Sequence, residues 1–275
     1  MFTSYQTIYN EDEYEEVERI PWSILGEQFI EVWGRANPEN PQPEHLEILG
    51  FTGSGKSFLL TQILSEMARR RKSSIIYIVN KPADGAIAKL NWPIVDSWDE
   101  LVEAEKKYQV DQFIFWPQTS SMGTARAQYQ EERIQELLEN LWHPGANTIV
   151  VFDEFATLEK FSKNMKDLLN QYLREGRSQG ITCVMGKQRG QGVQRDMHSE
   201  STWTICFKLK NRNDVEYAAE MFGDKKEYIP ILQSLSKEKH EFLIQSKNNE
   251  ATYISWVDKP KPLYSPMHKR KDTFG

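Results

Sequence analysis

Gly50-Phe51-Thr52-Gly53-Ser54-Gly55-Lys56-Ser57 is the stretch on which the reading of the fold turns. A glycine, four residues, a second glycine, then lysine and a hydroxyl is the pattern of a phosphate-binding loop. Gly50, Gly53 and Gly55 can take backbone angles closed to other residues, so successive N–H groups can converge on phosphate oxygens. The flanks suit that task. Leu46 to Leu49 is a short apolar strand ending at Gly50. Lys56 to Arg71 carries Leu59, Leu60, Ile63, Leu64 and Met67 on one helical face, and the positive end of that helix points at the same oxygens. The loop residues Gly50, Thr52, Gly53, Ser54, Gly55, Lys56 and Ser57 are therefore expected to hold the triphosphate of a nucleotide. Lys56 is expected to bridge the β- and γ-phosphates and Ser57 to ligate Mg2+.

Outward from the loop, strands alternate with helices. Ile75–Val79, Gln112–Trp116, Ile149–Phe152 and Ile181–Met185 are apolar runs of strand length, two of them unbroken. Trp98–Tyr108, the Ile134–Leu141 segment and the stripe Phe161, Met165, Leu168, Leu169, Tyr172 and Leu173 read as helices, the last ending at Gly176 or Gly180. The pattern predicts an α/β fold, a mostly parallel sheet with helices on both faces. Trp203–Leu209 alternates apolar with polar residues, the period of a half-exposed strand. Asp214–Phe222 reads as a helix, and Phe242–Ile244 with Tyr253–Val257 as a C-terminal β-hairpin around Lys247-Asn248-Asn249.

Thr148-Ile149-Val150-Val151-Phe152-Asp153-Glu154 is an apolar strand running into two carboxylates. Downstream of a phosphate loop, Asp153 is placed to hold the Mg2+ shell beside Ser57. Glu154 is placed to polarise the water that attacks the γ-phosphate. An acid beside the metal-directed acid predicts hydrolysis rather than a slow switch. A guanine-reading motif would need Asn-Lys-x-Asp, and Asn80-Lys81 is followed by Pro82-Ala83, so ATP is the expected nucleotide.

A second distinctive stretch runs from Tyr172 to Arg189. Its helix carries Arg174 and Arg177, and its strand ends near Gln188. Gln188 at a strand tip could hydrogen-bond the attacking water or the γ-phosphate. Arg174 or Arg177 could reach a neighbouring subunit's phosphate as an arginine finger; either also suits a plain surface ion pair at a helix C-terminus. The phosphate loop, the Asp153-Glu154 pair, the turn Arg177-x-x-Gly180-Ile181 and Gln188-Arg189 together resemble the FtsK/HerA superfamily of P-loop ATPases, over roughly Leu46 to Val257. The resemblance implies a RecA-like core of the ASCE kind, assembled as a ring, usually a hexamer, with double-stranded DNA in its channel. It carries over Lys56, Ser57, Asp153, Glu154 and Gln188 by position, and Arg177 ahead of Arg174 as the finger. Two positions depart from the family pattern: Asn80 stands before Lys81 where an aspartate is common, and Arg189-Gly190 follows Gln188 where a proline is common two residues on.

The bulk properties set limits. With 39% hydrophobic and 27% charged residues a packed core is feasible. A net charge of -6 excludes a protein basic all over, so contact with DNA must be local. The basic, glycine-rich segment Lys187–Arg195 offers Lys187, Arg189 and Arg195 for phosphate contacts without base reading. Cys183 and Cys206 fall in apolar runs and read as buried thiols of a reducing compartment; a cytoplasmic location is expected. No stretch approaches a membrane span. Residues 1–44 read as an arm and linker with an acidic run at Asn10–Glu18 and an apolar element around Phe29, Val32 and Trp33. Residues 45–258 read as the ATPase domain, and 259–275 as a basic tail. A compact motor such as a viral genome-packaging ATPase, with a capsid or portal partner, fits best. The alternatives are a particle-assembly or secretion ATPase of the zonula-occludens-toxin type and a small-molecule kinase.

Overall fold

The computed structural model describes residues 17–33, 44–70, 73–82, 85–188, 195–248 and 251–266. Most of the acidic run, Arg189 and the rest of the basic loop to 194, and the tail from 267 lie outside the described residues. Along the chain come α1 (Trp22–Trp33), β1 (Leu46–Leu49), α2 (Lys56–Arg70), β2 (Ser74–Ile78), a 3-10 turn (Ile87–Leu90), β3 (Ile94–Val95), α3 (Trp98–Tyr108), β4 (Gln112–Phe115), α4 (Gly123–Leu141) and β5 (Thr148–Phe152). Then follow α5 (Phe155–Leu158), α6 (Lys163–Gln179), β6 (Ile181–Lys187), α7 (Arg195–Glu200), β7 (Trp203–Phe207), α8 (Arg212–Phe222), α9 (Lys225–Ser234), β8 (Phe242–Ser246) and β9 (Thr252–Ser255).

The strands form a sheet in the order β3-β4-β2-β5-β6-β1-β7-β8-β9. Every pairing from β3 to β7 is parallel, and only β7–β8 and β8–β9 are antiparallel. The expected mostly parallel sheet with a C-terminal hairpin is thus present. Alternation along each strand sorts side chains to two faces. Leu46, Ile48, Ile75, Tyr77, Val151, Val184 and Ile205 face one way, under α1 and α2. Ile76, Ile78, Val150, Phe152, Cys183 and Met185 face the other, under α3, α4, α5 and α6. Leu49, Cys206 and Leu243 lie on that second face too, under α8 and α9.

Local chemistry sets the helix ends. Ser97 Oγ accepts from Glu100 N–H at the start of α3, and Ser162 Oγ from Met165 N–H at the start of α6. Gly180 closes α6 in the left-handed conformation. The sequence pattern does not reveal α9, because Pro230 inside it removes a backbone donor. It forms nonetheless, capped by Asp224 and anchored by buried Tyr228 and Leu232.

One strand differs from its expected environment. β7 is buried at every position rather than half-exposed. It lies between β1 and β8, with helices over both faces, so its alternating residues find partners instead of water. Thr204 Oγ1 donates to Glu47 Oε1 at 2.9 Å, and the thiol of Cys206 is packed among apolar side chains.

The outermost described segments at either end pack on this core. Phe29 and Trp33 of α1 stack on each other and are buried, with Trp203 edge-on to Phe29. Ser23 N–H and Oγ donate to the Asp258 carboxylate, and Lys261 N–H donates to Gln62 Oε1 of α2.

Candidate active site

In a parallel sheet the carboxyl ends of all strands meet at one edge, which is where such folds place ligands. Here β1 leads into Gly50, β2 through Val79 into Asn80-Lys81, β5 into Asp153-Glu154 and β6 into Gln188. β6 runs between β5 and β1, so Gln188 emerges between the acids and the phosphate loop. That close stacking has a steric condition. A Cβ on Gly186 would stand 2.4 Å from the Asp153 carbonyl oxygen, so only glycine lets β6 pass.

The phosphate loop leaves β1 and enters α2 at Lys56. Gly53 and Gly55 have φ of 82° and 104°, the left-handed region that the sequence reading anticipates for them. Ser54 N–H closes the loop on the Phe51 carbonyl at 3.0 Å. The loop is held from both sides. Thr52 Oγ1 donates to Gln188 Oε1 at 3.1 Å. On the other side His240 Nδ1 lies 2.9 Å from the Ser54 carbonyl, so Nδ1 carries the proton. Lys210 Nζ sits 4.1 Å above the Phe51 ring. His240 and Lys210 come from the loops before β8 and after β7, and neither is marked by any sequence pattern.

Lys56 Nζ donates to the Asp153 carbonyl oxygen at 3.4 Å, which brings the loop lysine and the acidic pair together. Asp153 is 2% exposed. Tyr77 OH donates to its Oδ1 at 3.1 Å, and Lys81 Nζ makes an ion pair with its Oδ2 at 2.8 Å. Glu154 accepts from Gln188 N–H through Oε1 at 3.4 Å, while its Oε2 is buried without a hydrogen-bond partner. Burial raises the pKa of Glu154, partly offset by the Lys56 charge. A carboxylate with one oriented oxygen, one unengaged oxygen and a raised pKa is suited to accept a proton from water.

The donor set fits Mg2+. Asp153 is a buried carboxylate already matched to a cation, and Ser57 opens α2 as the next hydroxyl after Lys56. No group of three or more His, Cys, Asp or Glu that could hold a metal occurs among the described residues. A metal here would take few protein ligands and complete its shell with phosphate and water, which is the habit of magnesium.

Other expected site residues lie elsewhere. Arg177 is in the last turn of α6, with Nη2 3.9 Å from Glu44 Oε1, just before β1 begins. That is the amino end of β1, the edge opposite the phosphate loop, so Arg177 does not serve its own subunit's loop. Arg174 lies one turn earlier on α6 and is exposed. Lys187 corrects the sequence reading outright. Expected to touch DNA, it is instead 0% exposed, with Nζ 2.9 Å from Glu47 Oε2. Its side chain points inward because residue 187 falls on the same strand face as Cys183 and Met185. Arg195 opens α7, its side chain beyond the description.

Solved structures share this architecture. The genome packaging NTPase B204 from Sulfolobus turreted icosahedral virus 2, in complex with AMPPCP, is similar with a TM-score of 0.55 and 14% identity, over 78% of this chain and 97% of that one. The sulfate complex of the same protein gives 0.58, over 81% and 98%. VirB4 of Thermoanaerobacter pseudethanolicus gives 0.58 at 11% identity, over 78% and 89%. No family model matches the sequence, and no curated protein sequence matches it. The fold is therefore that of the RecA-like P-loop ATPases. Within that fold the similar structures include a genome packaging NTPase and VirB4.

Proposed function

We propose that this chain is an ATP-hydrolysing motor that moves double-stranded DNA through a ring of its own copies, in the manner of a genome-packaging ATPase. The observation that carries the hydrolytic part is the convergence at one sheet edge of Lys56, Asp153, Glu154 and Gln188 around the Gly50–Ser57 loop. The similarity to a genome packaging NTPase whose structures hold AMPPCP and ATP-gammaS supports the nucleotide and the task.

In this reading the N–H groups of residues 53–57 and the Lys56 ammonium bind the triphosphate. Ser57 and Asp153 hold Mg2+, which supplies charge neutralisation on the β- and γ-phosphate oxygens when bound. Glu154 orients a water and takes its proton. Gln188, joined to Thr52 and Glu154, senses whether the γ-phosphate is present. Arg177, and less directly Arg174, stand at the opposite edge of the subunit, which suits a finger offered to a neighbour's phosphate in a ring such as a hexamer. DNA contact falls to Arg189 and Arg195, and a capsid or portal component is the natural anchor of such a motor.

The test is ATP turnover with and without duplex DNA, alongside electron micrographs with ATP. DNA-stimulated turnover and ring particles are expected. Turnover indifferent to DNA would favour the particle-assembly alternative. Turnover only with a small phosphate acceptor would favour a kinase.

A further inference from the structure

The carboxylate of Asp153 is met on both oxygens from β2 and the turn after it: Tyr77 OH on Oδ1 and the Lys81 ammonium on Oδ2. The turn that carries Lys81 is built rather than loose. The Lys81 carbonyl accepts from the Trp116 indole N–H at 2.8 Å. Its neighbour Asn80 donates from Nδ2 to the Glu154 carbonyl at 3.3 Å. The Asn80 carbonyl accepts from Gln130 Nε2 at 3.2 Å and Arg126 Nη2 at 3.3 Å. Three elements thus fix the backbone from which Lys81 reaches the acid. Its side chain is 32% exposed while that of Asp153 is 2% exposed, so Lys81 is the member of the pair that reaches solvent.

A divalent ion directed to Asp153 and an ammonium at 2.8 Å from the same carboxylate compete for the same negative charge. From this we propose that Lys81 is a second phosphate-directed cation of the site. Without nucleotide it neutralises Asp153; when Mg·ATP engages that carboxylate, the ammonium turns to the γ-phosphate oxygens. Lys56 meets the same residue at its backbone carbonyl and not at its carboxylate, so the two cations approach Asp153 differently. Lys81 is then a residue by which the site tells ATP from ADP. The inference rests on the ATPase reading and deepens it.

The experiment measures affinities of fluorescent ATP and ADP analogues, with Mg2+ and with EDTA, for wild type, Lys81→Met and Lys81→Arg. Lys81→Met is expected to weaken Mg·ATP binding about tenfold, the loss of one charge-assisted hydrogen bond, and to leave Mg·ADP unchanged. In EDTA its ATP affinity should match wild type. Lys81→Arg keeps the charge and should retain the preference for ATP. This guards against misfolding, since Lys81→Met leaves a buried carboxylate short of a cation. Equal weakening of ATP and ADP, or an effect that persists in EDTA, would overturn the proposal in favour of a structural ion pair. So would wild-type affinity in Lys81→Met. If wild type binds neither nucleotide, the ATPase reading itself fails; if wild type binds both and the variant does not differ, only the role of Lys81 falls.

Discussion

Lys187 Nζ lies 2.9 Å from Glu47 Oε2, and neither side chain has any solvent exposure. The pair joins β1, which leads into the phosphate loop, to β6, which ends at Gln188. It sits in a polar seam between the two apolar clusters on one sheet face, with Thr204 and His198 on the other carboxylate oxygen. Lys187 also fixes the loop through its backbone, since its carbonyl accepts from Gly50 N–H at 3.0 Å. Burial alone would raise the Glu47 pKa, but Lys187 and His198 more than offset it, holding the carboxyl below its usual range.

Removing one partner strands a buried charge. Lys187→Met is expected to cost about 3 kcal/mol or more of stability in urea unfolding. Adding Glu47→Gln should recover part of that loss. Losses that simply add would show that the two groups are not coupled.

Glu154→Gln should bind ATP within about twofold of wild type while kcat falls by about a hundredfold or more, the usual scale for losing a general base. Because burial raises the Glu154 pKa, the acid limb of the wild-type kcat profile should lie above the ordinary carboxylate value of 4.5. A profile flat down to that value removes Glu154 from the role of base.

His240→Ala removes the hydrogen bond to the Ser54 carbonyl. The expected effect is a loss of about fivefold in ATP affinity, equivalent to about 1 kcal/mol, with little change in the unfolding midpoint. An unchanged affinity would mean that the loop keeps its shape without this support.

His45 predicts a pH dependence of stability. It is buried, with Nε2 at 3.0 Å from the Leu173 carbonyl and Nδ1 accepting from Cys183 N–H at 3.0 Å, so the neutral ring satisfies both nitrogens. Burial lowers its pKa from 6.5 to about 4; the Leu173 bond opposes this and Arg177 adds to it. The unfolded chain therefore binds the extra proton first. Stability should fall by about 3 kcal/mol as pH drops from 6.5 to 4, then lose nothing further from this group. His45→Gln should flatten that part of the profile in urea unfolding across the same window.

Lys56→Ala should abolish nucleotide binding measured by a fluorescent analogue, because the loop amides alone meet only part of the triphosphate charge. Retained binding would move the phosphate site away from residues 50–57.

The glycine-lysine loop between a strand and an amphipathic helix, and the apolar run into Asp153-Glu154, were legible as written, because backbone freedom and hydrophobic period are local properties. The same holds for the parallel sheet, whose central strands are covered on both faces and read as unbroken apolar runs. Residue type at one position does not say which way a side chain points or what stands across from it. Lys187 is the last residue of one apolar strand and Lys81 follows shortly after another. The pleat turned the first inward onto Glu47 and left the second at the sheet edge on Asp153. Thr204 looks half-exposed in sequence and is buried, because β7 took an interior place in the sheet. His240 and Lys210 reached the phosphate loop from distant loops. Strand order and the stacking of helices over both faces are sums of many long-range contacts. They decided those placements, and no window of the sequence contains them.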